Sequence, residues 1–132
     1  MVMAPERDLR CLVVDDDPLV RWSLVRFLEA RDLEARSVDS GELALALLQE
    51  WPVDLFIITA DLSGVDELEL VKGCQSLRPR PGIILLTEGK APPLPRNLDD
   101  LGVLGVLEKP LILDSLARLL AGIPKKAGSA AA

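Results

Sequence analysis

The sequence predicts an α/β fold, a doubly wound sheet of five parallel strands with helices on both faces. Four apolar runs point to it: LRCLVV (9–14), VDLFIIT (53–59), GIILLT (82–87) and VLGVL (103–107). They are largely apolar rather than strictly alternating, which is the pattern of strands covered on both sides. Segments of helical periodicity fall between them, as crossovers between parallel strands require. The 132 residues form one domain's length with no internal repeat, enough for a single packed core.

Taken in order, Leu9–Val14 is the first strand, with Asp15, Asp16 and Asp17 at its carboxyl end. Pro18 suits the first position of a helix and leaves Asp17 as its N-cap. That helix reaches about Ala30, with Val20, Leu24, Phe27 and Leu28 on the inner stripe and Arg21, Arg26 and Glu29 mainly off it. Leu33–Val38 is a more polar strand, placed at the sheet edge. Asp39 or Ser40 caps a second helix, Glu42–Gln49, with Leu43, Ala46 and Leu47 expected on its inner face. Trp51-Pro52 ends it. The third strand, Val53–Thr59, leads through a loop to a helix over Asp66–Leu77, with Leu68, Leu70, Val71 and Cys74 as apolar positions. RPRPG (78–82) turns the chain into the fourth strand, Gly82–Thr87. Pro92, Pro93 and Pro95 lack donors and clash with a preceding turn. The segment before the fifth strand is therefore expected to be an irregular loop with a turn or two over Arg96–Leu101. Val103–Leu107 is the fifth strand and Leu113–Ala121 the last helix. The domain is placed at residues 1–122, and the small, polar residues 123–132 read as a disordered tail or linker.

Composition excludes several classes of function. Apolar residues make up 49% of the chain, yet no run approaches a membrane span. The charged opening MVMAPERDLR has no apolar signal region, so a cytoplasmic location is expected. Cys11 and Cys74 lie in apolar segments and are expected to be buried, reduced thiols. A net charge of −6 argues against direct nucleic-acid binding. Trp22, Phe27, Trp51 and Phe56 are too few for a base-stacking platform. The chain has no histidine, so it lacks the commonest metal ligand and general base, and no enzymatic activity of its own is expected.

In open α/β sheets, chemistry gathers outside the carboxyl ends of the strands. Asp15 and Asp16 follow the first strand, Thr59 ends the third, Thr87 ends the fourth and Lys109 follows the fifth. Each has a plainer role open to it. The aspartates can serve as caps and dipole partners, Thr87 as an ordinary strand residue and Lys109 as a surface lysine. Together they mark one shallow crevice.

On these residues the chain resembles the response-regulator receiver domain of two-component signalling. The resemblance is carried by LVVDDDPLVR (12–21), SGELALALL (40–48), VDLFII (53–58), GVDELEL (64–70), IILLT (83–87) and GVLGVLEKP (102–110). RWSL (21–24) resembles receivers of the nitrogen-regulator type, whose ATPase and DNA-binding domains have no counterpart in these 132 residues. The resemblance implies a flavodoxin-like receiver fold of strand order 2-1-3-4-5 and a cis peptide before Pro110. It also implies an acceptor carboxylate ending the third strand, phosphorylated from a partner's histidine. Mg²⁺ would be held by Asp15, Asp16 and the backbone carbonyl of Asp61. Metal and Lys109 would neutralise the phosphoryl oxygens. Thr87 and an aromatic on the fifth strand would then follow the phosphate.

The sequence departs from that pattern at linked positions. Counted forward from Asp54 or back from Asp66, the acceptor position is Thr59, a neutral alcohol and a weak nucleophile. Ser63 replaces the usual loop proline, Glu67 the usual glycine and Val106 the usual aromatic, and prolines interrupt the fourth helix. The expectation is a pseudo-receiver, a phosphorylation-independent protein–protein interaction module with weak Mg²⁺ binding at most. Its expected face is Leu94, Leu98, Leu104, Leu111 and Leu113. Its partner is expected to be a sensor kinase, a downstream signalling protein or a second copy. One alternative is a phospho-accepting receiver using Asp61, which requires a two-residue slip of a buried strand, or using Thr59 with another kinase class. Another is a flavodoxin-like small-molecule binder. DDDP after the first strand lacks the Gly, Ser and Thr of a phosphate cradle and counts against it.

Overall fold

The apolar runs form the sheet. In the computed structural model, which describes residues 9–59, 67–88, 99–109 and 113–121, five strands lie parallel in the order β2-β1-β3-β4-β5. They are β1 (Arg10–Val14), β2 (Glu34–Val38), β3 (Leu55–Thr59), β4 (Gly82–Glu88) and β5 (Val103–Lys109). The helices are α1 (Pro18–Glu29), α2 (Gly41–Glu50), α3 (Glu67–Gly73) and α4 (Leu113–Ala121). The predicted doubly wound architecture and strand order are both observed.

Side-chain alternation splits the core into two layers. On one face, Cys11, Val13, Leu55, Ile57, Ile84 and Leu86 pack against Leu24 and Leu28 of α1 and Leu116 of α4. On the other, Leu12, Val14, Phe56, Ile58, Ile83 and Leu85 pack against α2 and α3 through Ala44, Leu48, Leu70 and Val71. β3 pairs with β1 and β4 and is buried at every position. Each fully buried aliphatic side chain there contributes about 1.5–3 kcal/mol.

Both predicted helix starts are present. Asp17 caps α1, its side chain accepting from the Leu19 N–H at 2.9 Å, with Pro18 at the first helical position. Ser40 rather than Asp39 caps α2, accepting from the Leu43 N–H at 3.2 Å. Leu24 and Leu28 are buried as expected of the inner stripe of α1.

Three details differ from the sequence reading. The inner face of α2 is Gly41, Ala44 and Leu48, with the predicted Leu47 partly buried against the core; Leu43 is 52% exposed and Ala46 is exposed. The stretch LALALL is apolar almost all round, so its periodicity did not fix the phase of the helix, and packing on the sheet did. α3 ends at Gly73. Beyond it the Gln75 N–H bonds to Lys72 O and the Leu77 N–H to Cys74 O, so the last turn tightens to the i→i+3 pattern. A Cβ on Gly73 would lie 2.8 Å from Leu45 Cδ2 of α2, so glycine permits this close approach. β5 continues to Lys109, with Thr87 opposite Glu108 and Glu88 opposite Lys109, after a register shift between Ile83 and Ile84. Lys109 is thus the last residue of a strand rather than a residue after it.

The turn before β5 is set by Gly102, whose φ of +88° lies where side chains are disfavoured. Its carbonyl accepts from the Ile83 N–H at 2.8 Å. Cys11 and Cys74 are buried free thiols. Burial pushes Cys74 up to about 12; burial, then the Asp54 charge, push Cys11 up as well. Arg78–Pro79 is the cis peptide among the described residues. The expected cis bond before Pro110, the proline-rich loop and the tail at 123–132 lie outside the described residues, as do Leu94, Leu98 and Leu111. Among the described residues, no helix is long and apolar enough to cross a membrane.

Candidate functional site

The carboxyl edge of the sheet is organised around Asp15. β1 ends at Val14, and the Asp15 N–H bonds to Val38 O at 3.2 Å, which fixes the residue at the end of the strand. Its side chain is 0% exposed. The Lys109 Nζ lies 2.7 Å from Asp15 Oδ2. The Thr59 hydroxyl donates to the same oxygen at 2.5 Å. The other oxygen, Oδ1, accepts the Asp17 N–H at 2.9 Å. Arg21 Nη1 donates to the Asp15 backbone carbonyl at 2.7 Å.

Strand parity explains this grouping. Asp15, Thr59 and Lys109 continue the alternation of Cys11–Val13, Leu55–Ile57 and Leu107, which face α1 and α4. Thr87 continues Ile83–Leu85, which face α2 and α3. The structure therefore joins three of the predicted residues and separates the others. Asp16 is exposed to solvent. Thr87 is 1% exposed, and its Oγ1 has no hydrogen-bond partner among the described residues. Val106, at the expected aromatic position, is 36% exposed. Asp61 lies outside the described residues.

The electrostatics follow from these contacts. Burial pushes the Asp15 carboxyl up. The hydrogen bonds from Lys109, Thr59 and the Asp17 N–H, with the Lys109 charge, outweigh burial and hold it below its ordinary value of 3.8. Asp15 is thus a buried carboxylate, and a poor base toward the Thr59 hydroxyl.

Asp15, Thr59 and Lys109 as they stand leave little for a divalent cation, while Asp16 faces solvent and Asp61 lies outside the described residues. Mg²⁺ demands octahedral oxygen coordination. Both Asp15 oxygens already accept hydrogen bonds, one from an ammonium group that stands where a cation would neutralise the carboxylate. Thr59 supplies a neutral oxygen, itself a donor to Asp15. Among the described residues, no group of three or more carboxylate, thiol or imidazole ligands is placed to hold a metal.

Sequence reasoning missed Arg21, which was assigned to the outer side of α1. Its signal is the DDDPLVR run, six residues from Asp15 to Arg21, long enough for a helical arginine to reach back over the N-terminus.

Comparison with known proteins agrees with the fold. The pattern of the response regulator receiver domain matches residues 11–121. The chain is 33% identical over 117 residues to the transcriptional activator protein ExaE of Pseudomonas putida, covering 84% of this chain and 55% of that protein. It thus spans about half the length of that relative. Among solved structures, it is similar to the chemotaxis response regulator CheY4 of Vibrio cholerae, with 25% identity and a TM-score of 0.76, covering 89% of this chain and all of that one. It is also similar to a CheY-like receiver domain from Methylobacillus flagellatus, with 25% identity, a TM-score of 0.79 and the same coverage. With the sheet order and the Asp15–Lys109 edge already described, these matches establish that the chain belongs to the response regulator receiver domain family and is a receiver domain of two-component signalling.

Proposed function

We propose that this receiver domain is a non-enzymatic protein–protein interaction module whose output does not depend on phosphorylation. The observation that carries the reading is Thr59. It ends β3, is 2% exposed, and its hydroxyl is taken up as a donor to Asp15. A neutral alcohol whose only neighbouring base among the described residues is a carboxylate held below its ordinary value is a weak nucleophile, and a buried one is out of reach of a serine/threonine kinase.

A carboxylate at this position would meet Asp15 at contact distance. Two like charges ~4 Å apart repel by about 4 kcal/mol at an effective dielectric of ~20. Thr59 removes that repulsion and leaves the Lys109–Asp15 pair in place. Mg²⁺ binding is accordingly weak at most. Output then runs through surface contact. Leu104, Val106 and Leu113 are 43%, 36% and 43% exposed on β5 and at the start of α4, and supply apolar contact surface there. The partner is a sensor kinase or a downstream signalling protein, in the reducing cytoplasm that suits two buried thiols. A chain of net charge −6 makes no direct contact with nucleic acid. Kinship with nitrogen-regulator-type receivers rests on RWSL (21–24), where Arg21 also has a structural role at Asp15.

One observation favours a second reading, a phospho-accepting receiver using Asp61. The buried, unpartnered Thr87 hydroxyl is the kind of orphan donor that a phosphoryl oxygen would satisfy.

Intact mass after incubation with Mg²⁺ and acetyl phosphate separates the two. The native chain is expected to gain no phosphoryl group, and Thr59→Asp to gain one. Mg²⁺ is expected to raise the melting temperature of Thr59→Asp more than that of the native chain. A native adduct lost in Asp61→Asn would replace the proposal with the second reading.

A further inference from the structure

Among the described residues, the sheet has a second free edge, β2, opposite β5. The Glu34 N–H bonds to Leu9 O at 2.8 Å and Val38 O accepts the Asp15 N–H at 3.2 Å, so even-numbered residues of β2 turn their polar groups toward β1. Alternation leaves the N–H and C=O of Ala35 and Ser37 facing outward. The side chains of Glu34 and Arg36 share one face of the strand, and both are exposed. Each is braced from its own chain. Glu34 lies 3.5 Å from Arg10 Nε, and the Arg36 guanidinium stacks 4.3 Å from the Trp51 ring centroid.

We propose that β2 is a self-association edge, where a second copy of this chain adds an antiparallel β2 about a two-fold axis through Ala35. Charge selects this occupant and this register. Centred on Ala35, the pairing bonds Ala35 to the partner's Ala35. It sets Glu34 opposite the partner's Arg36 and, by symmetry, Arg36 opposite the partner's Glu34. These are non-hydrogen-bonded positions, where side chains approach most closely. Centred on Arg36, the same edge would oppose two arginines. Centred on Ser37, it would set Arg36 opposite the partner's Val38 and pair no charges. The strand is thus self-complementary in one register, as an isologous interface requires.

The α1 flank of this edge is also open. A hollow beside Ser37 is lined by Trp22, Val25, Arg26 and Glu29. Trp22 is 59% exposed there, and its ring carries Arg26 5.1 Å from the centroid. A second copy at β2 brings the two α1 helices side by side on the same face and covers this ring. The exposed apolar residues of β5 and α4, at the other edge, stay available to a different partner. The inference is independent of whether the domain is phosphorylated.

The competing explanation is that Glu34 and Arg36 guard an edge that never pairs. Sedimentation velocity on the full chain from about 10 μM to 1 mM, the range of weak association, distinguishes the two. The variants are Glu34→Arg, Arg36→Glu and the swap carrying both, each checked by circular dichroism. Native chain is expected to dimerise. Either single variant sets like charges opposite each other twice and is expected to weaken association by roughly tenfold or more. The swap restores opposite charges and is expected to recover dimerisation. Should one single variant fail to fold, the other tests the same contact from the opposite side. Three results each overturn the proposal: a native chain monomeric throughout, a dimer unchanged in both single variants, or a swap that stays monomeric.

Discussion

Lys109→Met is the sharpest perturbation of the carboxyl edge. It keeps the apolar stem and removes the ammonium 2.7 Å from Asp15 Oδ2. Asp15 is 0% exposed and the Lys109 side chain 12%, so water screens the pair little. Removing one partner of a buried ion pair costs about 3–5 kcal/mol, because the other charge is left uncompensated. For a domain of this length that lowers the melting temperature by roughly 12–20 °C. The loss has a pH signature. The native Asp15 carboxyl sits below 3.8, so the unfolded chain takes up that proton first as pH falls. Its stabilising contribution is complete well above 3.8 and is lost as pH drops through that value toward the folded pKa. In Lys109→Met, burial is opposed only by the Thr59 and Asp17 hydrogen bonds, and the carboxyl moves up. Protonation then relieves an unpaired charge instead of breaking a pair. The gap between variant and native should be widest at neutral pH and narrow as pH falls. Thermal melts followed by circular dichroism between neutral and acid pH measure it. A variant within about 1 kcal/mol of native at pH 7, below the range for a broken buried pair, with a gap independent of pH, would refute the reasoning.

Two further outcomes test other parts of the fold. Gly102→Ala forces a side chain into a φ of +88°, with its Cβ 3.3 Å from Pro81 O; it should cost about 1–2 kcal/mol in denaturant unfolding. With Cys74 pushed up to about 12 and Cys11 buried within β1, neither thiol should react with an alkylating reagent at neutral pH. Both should react once the chain is denatured; fast labelling of the folded chain would contradict their burial.

Much of the fold was legible because burial on both faces leaves long apolar runs. β1, β3 and β4 were found within two residues of their observed limits, and the caps Asp17 and Ser40 follow from local chemistry that needs no tertiary partner. The phase of α2 was not legible, because a helix apolar on nearly every side carries no directional signal. The end of α3 was misplaced for a related reason. Val71 and Cys74 continue the apolar spacing past Gly73, and only the backbone geometry shows the tightened turn. At the site, Asp15, Thr59, Thr87 and Lys109 were all named in advance, but the bond from the Thr59 hydroxyl to Asp15 was not.

What the sequence determined by itself was the parallel α/β architecture, the strand ends that bear polar side chains, and a neutral hydroxyl at position 59. Those follow from periodicity and residue identity, which are local. Only the tertiary structure decided that Asp15, Thr59 and Lys109 meet while Thr87 does not. A strand sends alternate side chains to opposite faces, so which ends converge depends on the register and length of each strand. Those are set by packing between segments distant in sequence; the Asp15–Thr59 contact alone spans 44 residues.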